Sequence, residues 1–282
     1  MSKTMSKKTE IEIAQAIETD DFDSLLGIQH VAEPDKTAFL FLSDEGKAGK
    51  STAAIAFTTI LRKLNKTVDA WQCDPDHMKL YYGFGKRDAS GTLISKEAQV
   101  PSDCGYLNIR TESFKLVNSL KSPAKYKIYD LPAASIDELP EIFDSSDSFL
   151  QAFVNNNTKI VFCVPFINGI DSLLAVQKLK NLFCGVNSNA VIEFVLLLNY
   201  SMMIDESETL AGLDSAIKGM KEKVYAAHIK TKFTPGFENI IDYTEDGPNR
   251  DWFSILGSLD ETSKITMGKF LKDYVDTVKA VY

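Results

Sequence analysis

Short, continuous apolar runs alternate along this chain with longer stretches whose apolar residues recur every three to four positions. Runs of strand length occupy residues 37–42, 67–71, 106–109, 126–131, 160–165 and 191–198. Helical spacing appears between and after them, over residues 53–61, 112–120, 172–182 and 265–281, with two acidic amphipathic pieces at 136–143 and 149–154. Apolar runs without polar alternation are buried on both faces, and strand–helix alternation lays such strands side by side. The pattern predicts an α/β fold: a mostly parallel central sheet with helices on both faces. In the last helix, Phe270, Leu271, Tyr274, Val275, Val278 and Val281 share one face.

Residues 1–36 break this rhythm. They are charge-rich, carry one short helical pattern (Ile11, Ile13, Ala14 and Ile17 on one face) and end at Glu33-Pro34-Asp35. The segment is too short for its own core and reads as an extension to one domain over residues 37–282. No run approaches the roughly 20 apolar residues of a membrane span, and the polar first residues lack a signal-peptide stretch.

The first apolar run leads into Ser43-Asp44-Glu45-Gly46-Lys47-Ala48-Gly49-Lys50-Ser51-Thr52 and then into an apolar helix. Strand, glycine-bearing loop and helix in that order are the context of a phosphate-binding loop. Amides at the helix start point at one spot, and the helix dipole adds positive potential there. Lys50 would bring a full charge to the β- and γ-phosphates, and Ser51 would offer its hydroxyl to magnesium. The nucleotide-binding set is therefore Gly46, Lys47, Ala48, Gly49, Lys50, Ser51 and Thr52.

Ligands of open parallel sheets bind beyond the carboxyl ends of the strands. Three later strand ends are chemically loaded: Gln72-Cys73-Asp74-Pro75-Asp76, Tyr129-Asp130-Leu131-Pro132, and Leu198-Asn199. Asp130, tipping a hydrophobic strand, suits the second magnesium ligand beside Ser51. Asn199 can accept from and donate to an adenine edge at once.

The loop departs from the common G-x-x-x-x-G-K-[ST] spelling, with Asp44 at the first glycine position and Gly46 three residues before Gly49. It resembles the deviant loop K-G-G-x-G-K-[ST] of the ParA/MinD family of ATPases, matched at Gly46, Gly49, Lys50 and Ser51. Glu45 stands where that family has its signature lysine, and Lys47 where it usually has glycine. The resemblance extends to Asp74, with Gln72 in place of an earlier family aspartate, to the Asp-x-Pro at Asp130, and to Asn199. After residue 199 it is one of topology only.

That resemblance implies ATP and Mg2+ as cofactors and catalytic roles for Lys50, Asp74 and Lys47. Asp74 would position the attacking water, and Lys47 would replace the signature lysine that crosses to the partner subunit's phosphates. It also implies a homodimer closed by ATP, a partner protein that stimulates hydrolysis, and partitioning of a plasmid or another large cargo on nonspecific DNA. A carboxylate at position 45 reverses an interaction of about 4 kcal/mol per charge pair at an effective dielectric near 20. Glu45 must therefore turn away, pair with a lysine, or belong to a dimer that closes differently.

Composition narrows the picture further. Across 282 residues the net charge is −8, which argues against a protein that coats nucleic acid with its whole surface. Lys218, Lys221, Lys223, Lys230 and Lys232 form a local basic cluster and are the candidate DNA surface; Arg110, Lys115, Lys121, Lys125 and Lys127 form a second one. Four cysteines without a C-x-x-C pair and three scattered histidines argue against a zinc or iron–sulfur site and fit a cytoplasmic protein. A metabolic P-loop enzyme of the dethiobiotin-synthetase or amidoligase kind is the alternative. It would need carboxylate-binding cations, yet Arg62, Arg87, Arg110 and Arg250 lie in no recognisable substrate motif. A MinD-like membrane-positioned ATPase anchored by the helix at 265–281 is a second alternative, less favoured because that helix lacks a cationic bias. Lys264, Lys269, Lys272 and Lys279 are balanced there by Asp260, Glu261, Asp273 and Asp276.

Overall fold

Seven apolar segments pair into one sheet: β1 (Lys36–Phe41), β2 (Val68–Gln72), β3 (Gly105–Tyr106), β4 (Tyr126–Asp130), β5 (Thr158–Phe166), β6 (Ile192–Asn199) and β7 (Lys223–Ile229). The order across the sheet is β3-β2-β4-β1-β5-β6-β7, and every neighbouring pair is parallel. This computed structural model describes residues 34–282 apart from 168, 187, 204, 233–235, 246 and 248–251. The short helix expected within residues 1–36, and Arg250, lie outside the described residues. Pro34–Tyr282 form one compact unit, in which Lys36 already belongs to β1.

Ten helices among the described residues accompany the strands. They are α1 (Lys50–Lys63), α2 (Lys79–Phe84), α3 (Ser113–Ser119), α4 (Glu138–Ile142), α5 (Ser146–Val154), α6 (Gly169–Phe183), α7 (Glu206–Ile217), α8 (Phe237–Ile241), α9 (Trp252–Ile255) and α10 (Glu261–Val281). The period-two geometry of β1 sorts its side chains between two cores. Phe39 and Phe41 join Phe57 of α1 and Phe270, Tyr274 and Val278 of α10, whereas Ala38 and Leu40 join Phe149 of α5 and Phe183 of α6. Edge-on ring packing joins Phe41 to Phe57 at 5.2 Å between centroids. The expected α/β architecture is the one observed.

Strands are added first on one side of β1 and, from β5 onward, on the other. The loop after β1 therefore sits at the switch point where an open sheet leaves a crevice. The apolar face of α10 packs on α1 and β7, with Met267, Phe270, Leu271, Tyr274, Val278 and Val281 buried, so it is not left for a lipid surface. Among the described residues, no helix is long and apolar enough to cross a membrane.

Two segments differ from the sequence pattern. The expected strand at 106–109 shrinks to Gly105–Tyr106, because the Asn108 carbonyl accepts from the amides of Thr111 and Glu112 and turns the chain out of the ladder. Strand β7 carries no continuous apolar run. As an edge strand half covered by α10, it leaves Lys223, Ala226 and His228 exposed, which hides it from hydrophobic patterning.

Candidate functional site

The loop after β1 is anchored at both ends by backbone bonds. Leu42 N–H donates to the Cys163 carbonyl, Ala134 N–H to the Ser43 carbonyl, and Ala53 N–H to the Gly49 carbonyl, the last starting α1. Ser43 Oγ donates to the Glu45 carbonyl at 2.6 Å. Gly49 has φ of 90°, so glycine is required there by conformation. A Cβ would still meet only ordinary contacts, 3.6 Å from Met202 Sδ and 3.9 Å from Asn199 Nδ2. Lys47 also lies in the left-handed region, with φ of 60°, a conformation that costs a non-glycine residue about 1 kcal/mol. Lys47 is the exposed tip of the loop.

Lys50, Ser51, Asp74 and Asp130 are brought together. Burial lowers the Lys50 ammonium from its ordinary value, while the charges of Asp130 and Asp74 act in the opposite direction. Asp130 is fully buried, and neither carboxylate oxygen has a hydrogen bond of good geometry among the described residues, although the Ser51 and Gln72 side chains lie close enough to pull its carboxyl down. Burial pushes its carboxyl up to about 7, with the Ser51 hydroxyl and the Lys50 charge pulling it down. A buried carboxylate beside a serine hydroxyl is an oxygen donor set suited to Mg2+. The residues present fit the ion.

Asp74 has a structural duty as well. Its Oδ1 accepts from the amides of Asp76 (2.9 Å) and His77 (3.1 Å), an Asx-type turn that aims the segment after β2 at the loop. Gln72, the departure from the family pattern, staples the same segment. Its Nε2 donates to the carbonyls of Asp74 and His77, and its Oε1 accepts from Tyr81 N–H at 3.3 Å.

At Asn199 the geometry narrows the expectation. Its Oδ1 already accepts from Ser201 N–H (3.2 Å) and Ser201 Oγ (2.7 Å). The acceptor lone pairs are taken, so the amide offers a ligand its Nδ2 donor rather than a paired donor and acceptor.

Gly46, Lys47, Ala48, Gly49, Lys50, Ser51, Thr52 and Asp74 line one cleft of about 410 Å³. Sequence reasoning missed its other walls: His77 and Lys79 on one side, Met202, Glu238, Asn239, Ile241 and Asp242 on the other. Lys79 Nζ meets Asp242 Oδ1 at 2.5 Å across it. No local motif marks these residues, because those of 238–242 reach the loop from far along the chain.

Glu45 faces elsewhere. It lines a small hollow on the α6 side of the loop with Asp171, Ser172 and Ala175. Its carboxyl is raised from the ordinary value chiefly by a hydrogen bond with Asp171, then by burial and by the charges of Asp171 and Asp44. In the single chain Glu45 turns away from the cleft.

The lysine clusters do not form stripes. Lys218 ends α7, and Lys221 and Lys223 line an open hollow of about 430 Å³ at the amino-terminal end of β6 and β7. Lys230 and Lys232 follow the carboxyl end of β7. Seven residues of strand, at about 3.3 Å each, put the two groups roughly 20 Å apart. In the second cluster Arg110 pairs with Glu138, Lys115 with Glu112, and Lys127 is fully buried. Among the described residues the cysteines are free, and no group of three metal-ligating side chains occurs.

No protein-family model matches the chain, and no curated protein is similar to it in sequence. Solved structures are similar in fold. A ParA family ATPase from Chlorobium tepidum superposes with a TM-score of 0.53 at 14% identity, covering 87% of this chain and 98% of the other. The MinD cell division protein of Aquifex aeolicus gives 0.48 at 14% identity over 88% and 98%. MinD with Mg-ADP from Pyrococcus horikoshii gives 0.47 at 15% over 86% and 95%. The parallel sheet with its loop at the switch point is thus the fold of the Chlorobium tepidum ParA family ATPase, as the resemblance at Gly46, Gly49, Lys50 and Ser51 implies.

Proposed function

We propose that this chain is a ParA/MinD-type ATPase that binds ATP with Mg2+, closes as a homodimer around it, and positions a large cargo such as a plasmid with a hydrolysis-stimulating partner protein. The observation that carries this reading is Asp130: a buried carboxylate with no well-formed hydrogen bond to either oxygen among the described residues, beside Lys50, Ser51 and Gln72, at the foot of a left-handed loop turn. Such a group is unfavourable in isolation and becomes favourable once a cation arrives.

Loop amides and Lys50 hold the β- and γ-phosphates. Ser51 and Asp130 would hold Mg2+, which would supply charge neutralisation to the triphosphate. Asp74 orients water towards the γ-phosphate with the oxygen its turn leaves available. Asn199 donates to a purine acceptor through Nδ2. Lys47, exposed at the loop tip, is the cation available to a second subunit in place of Glu45. For a DNA matrix, Lys230 and Lys232 share the carboxyl-end side of the sheet with the cleft. They are better placed for nucleotide-linked binding than Lys218, Lys221 and Lys223.

The test is titration of the full chain with a fluorescent ATP analogue, with and without Mg2+, followed by phosphate release. Wild type should bind with Mg2+ and Lys50→Ala should not. Equal binding by both would refute the assignment. Turnover stimulated by a small carboxylate or amine, and not by DNA with a partner, would instead favour the metabolic alternative.

A further inference from the structure

We propose that Arg110 is a further catalytic residue of this site, an arginine parked on Glu138 that moves to the γ-phosphate when the triphosphate is bound; this rests on the nucleotide reading above. Its backbone is held firmly. Asn108 Oδ1 accepts from Arg110 N–H at 3.1 Å, Asn108 O accepts from Glu112 N–H at 2.7 Å, and Glu112 Oε2 accepts from Asn108 N–H at 3.1 Å. The side chain leaves this rigid turn beyond β3 and reaches the start of α4. There Nε donates to Glu138 Oε2 at 2.8 Å and Nη2 to Oε1 at 3.2 Å.

Topology makes that reach informative. Helix α4 follows β4, and β2 lies between β3 and β4, so Arg110 and Glu138 follow the two strands that flank β2, from whose carboxyl end Asp74 emerges. Besides Glu138, the charges of Asp74 and Asp76 act on the guanidinium. Arg110 does not line the cleft itself. It waits one layer outside, on the Asp74 side.

The parking contact is easily exchanged. Both side chains are about 40% exposed (40% and 37%), and exposed ion pairs contribute little to stability. A triphosphate offers the same forked geometry with more charge. Other described arginines are committed elsewhere. Arg62 bonds the Asp103 carbonyl beneath Phe84, and Arg87 bonds the carbonyls of Gly91, Glu245 and Tyr82.

In the step served, a water oxygen bonds the γ-phosphorus as the bond to the β,γ-bridging oxygen breaks. The electron pair stays on ADP, and the water proton passes to phosphate or solvent. Arg110 exchanges no proton; it stabilises charge gathering on the phosphoryl and bridging oxygens.

The experiment compares wild type, Arg110→Ala, Arg110→Lys and Glu138→Ala in the full chain. It measures kcat with saturating Mg-ATP, affinity for ATPγS, and affinity for ADP with aluminium fluoride. Arg110→Ala should lower kcat and aluminium-fluoride affinity by about 10²-fold or more, with ATPγS affinity within about threefold. Arg110→Lys should recover little, since an ammonium cannot fork. Glu138→Ala frees the guanidinium and should raise kcat. Equal losses in Arg110→Ala and Glu138→Ala would make the pair structural and overturn the proposal, as would unchanged kcat and aluminium-fluoride affinity in Arg110→Ala. Wild type that binds neither analogue would overturn the nucleotide reading and the arginine with it. Normal ATPγS binding with an indifferent Arg110→Ala would overturn only the arginine.

Discussion

Glu45 and Asp171 hydrogen-bond through their carboxyl groups, tying the phosphate-loop candidate to helix α6 across 126 positions of sequence. The hydrogen bond with Asp171, burial and the negative charges of Asp171 and Asp44 all raise the Glu45 carboxyl, because each disfavours its ionised form. The acidic residue that stands in the lysine's place is thereby held off the cleft, and the loop mouth keeps Lys47 as its exposed cation.

This contact gives stability a definite pH trend. The folded Glu45 carboxyl lies above its ordinary value of 4.5, so the native state keeps a proton that the unfolded chain releases. The contribution is complete below about 4.5 and is lost as pH rises through the folded value. Glu45→Gln retains a hydrogen-bond donor to Asp171 without the titration. The melting temperature of wild type minus that of Glu45→Gln should therefore fall from pH 4.5 towards 8. Parallel melting curves across that range would show that the Glu45 carboxyl is not raised by folding.

Asp130→Asn should separate stability from function. With a folded value of about 7 against an ordinary 3.8, the buried carboxyl destabilises the ligand-free protein increasingly as pH rises from about 4 to above 7. The amide removes that trend. At pH 8 the ligand-free variant should melt several degrees higher, each kcal/mol being worth about 2–4 °C in a domain of this size. The extra stabilisation given by Mg2+ with ATP should vanish. A variant that melts lower and keeps the Mg-ATP shift would remove Asp130 from the metal site.

At Asp74 the two obvious substitutions should behave differently. Asn preserves the Oδ1 that accepts from Asp76 and His77, and removes only the charge. Asp74→Asn should bind Mg-ATP within about threefold of wild type and turn it over on the order of 10²-fold more slowly. Asp74→Ala should also loosen the turn, losing affinity as well as rate. Identical losses in both would leave the carboxylate with a structural role alone.

Legibility in the sequence followed the range of the interactions. The strand, loop and helix over residues 36–63 are encoded by neighbours, so apolar runs and the Gly49-Lys50-Ser51 spelling suffice to read them. Asn199 was half legible. The strand end is plain, and the saturation of its Oδ1 follows from a serine two residues on, a local cue that hydrophobic patterning does not weigh. The contact of Glu45 with Asp171 and the cleft wall from α8 depend on packing between distant segments. No spacing rule encodes them. Strand β7 was hidden because an edge strand needs few apolar residues, and its lysines then read as a stripe.

Lys79 and Asp242 bridge the cleft from α2 to α8, and their behaviour separates a latch from a brace. The pair is about 40% exposed on both sides (44% and 43%), which limits its worth to roughly 0–1 kcal/mol. Removing it should shift the melting temperature of the ligand-free protein by no more than a few degrees. Nucleotide leaving past this pair must part the two helices, so the bond acts on the dissociation rate even where it adds little to stability. Lys79→Ala and Asp242→Ala should each speed release of a fluorescent ATP analogue several-fold in stopped-flow chase, with little change in association. High salt should speed wild-type release and leave both variants almost unaffected, because screening removes only an ion pair that is present. If salt accelerates release equally in all three proteins, the effect lies in the phosphate contacts, and the bridge is a brace rather than a latch.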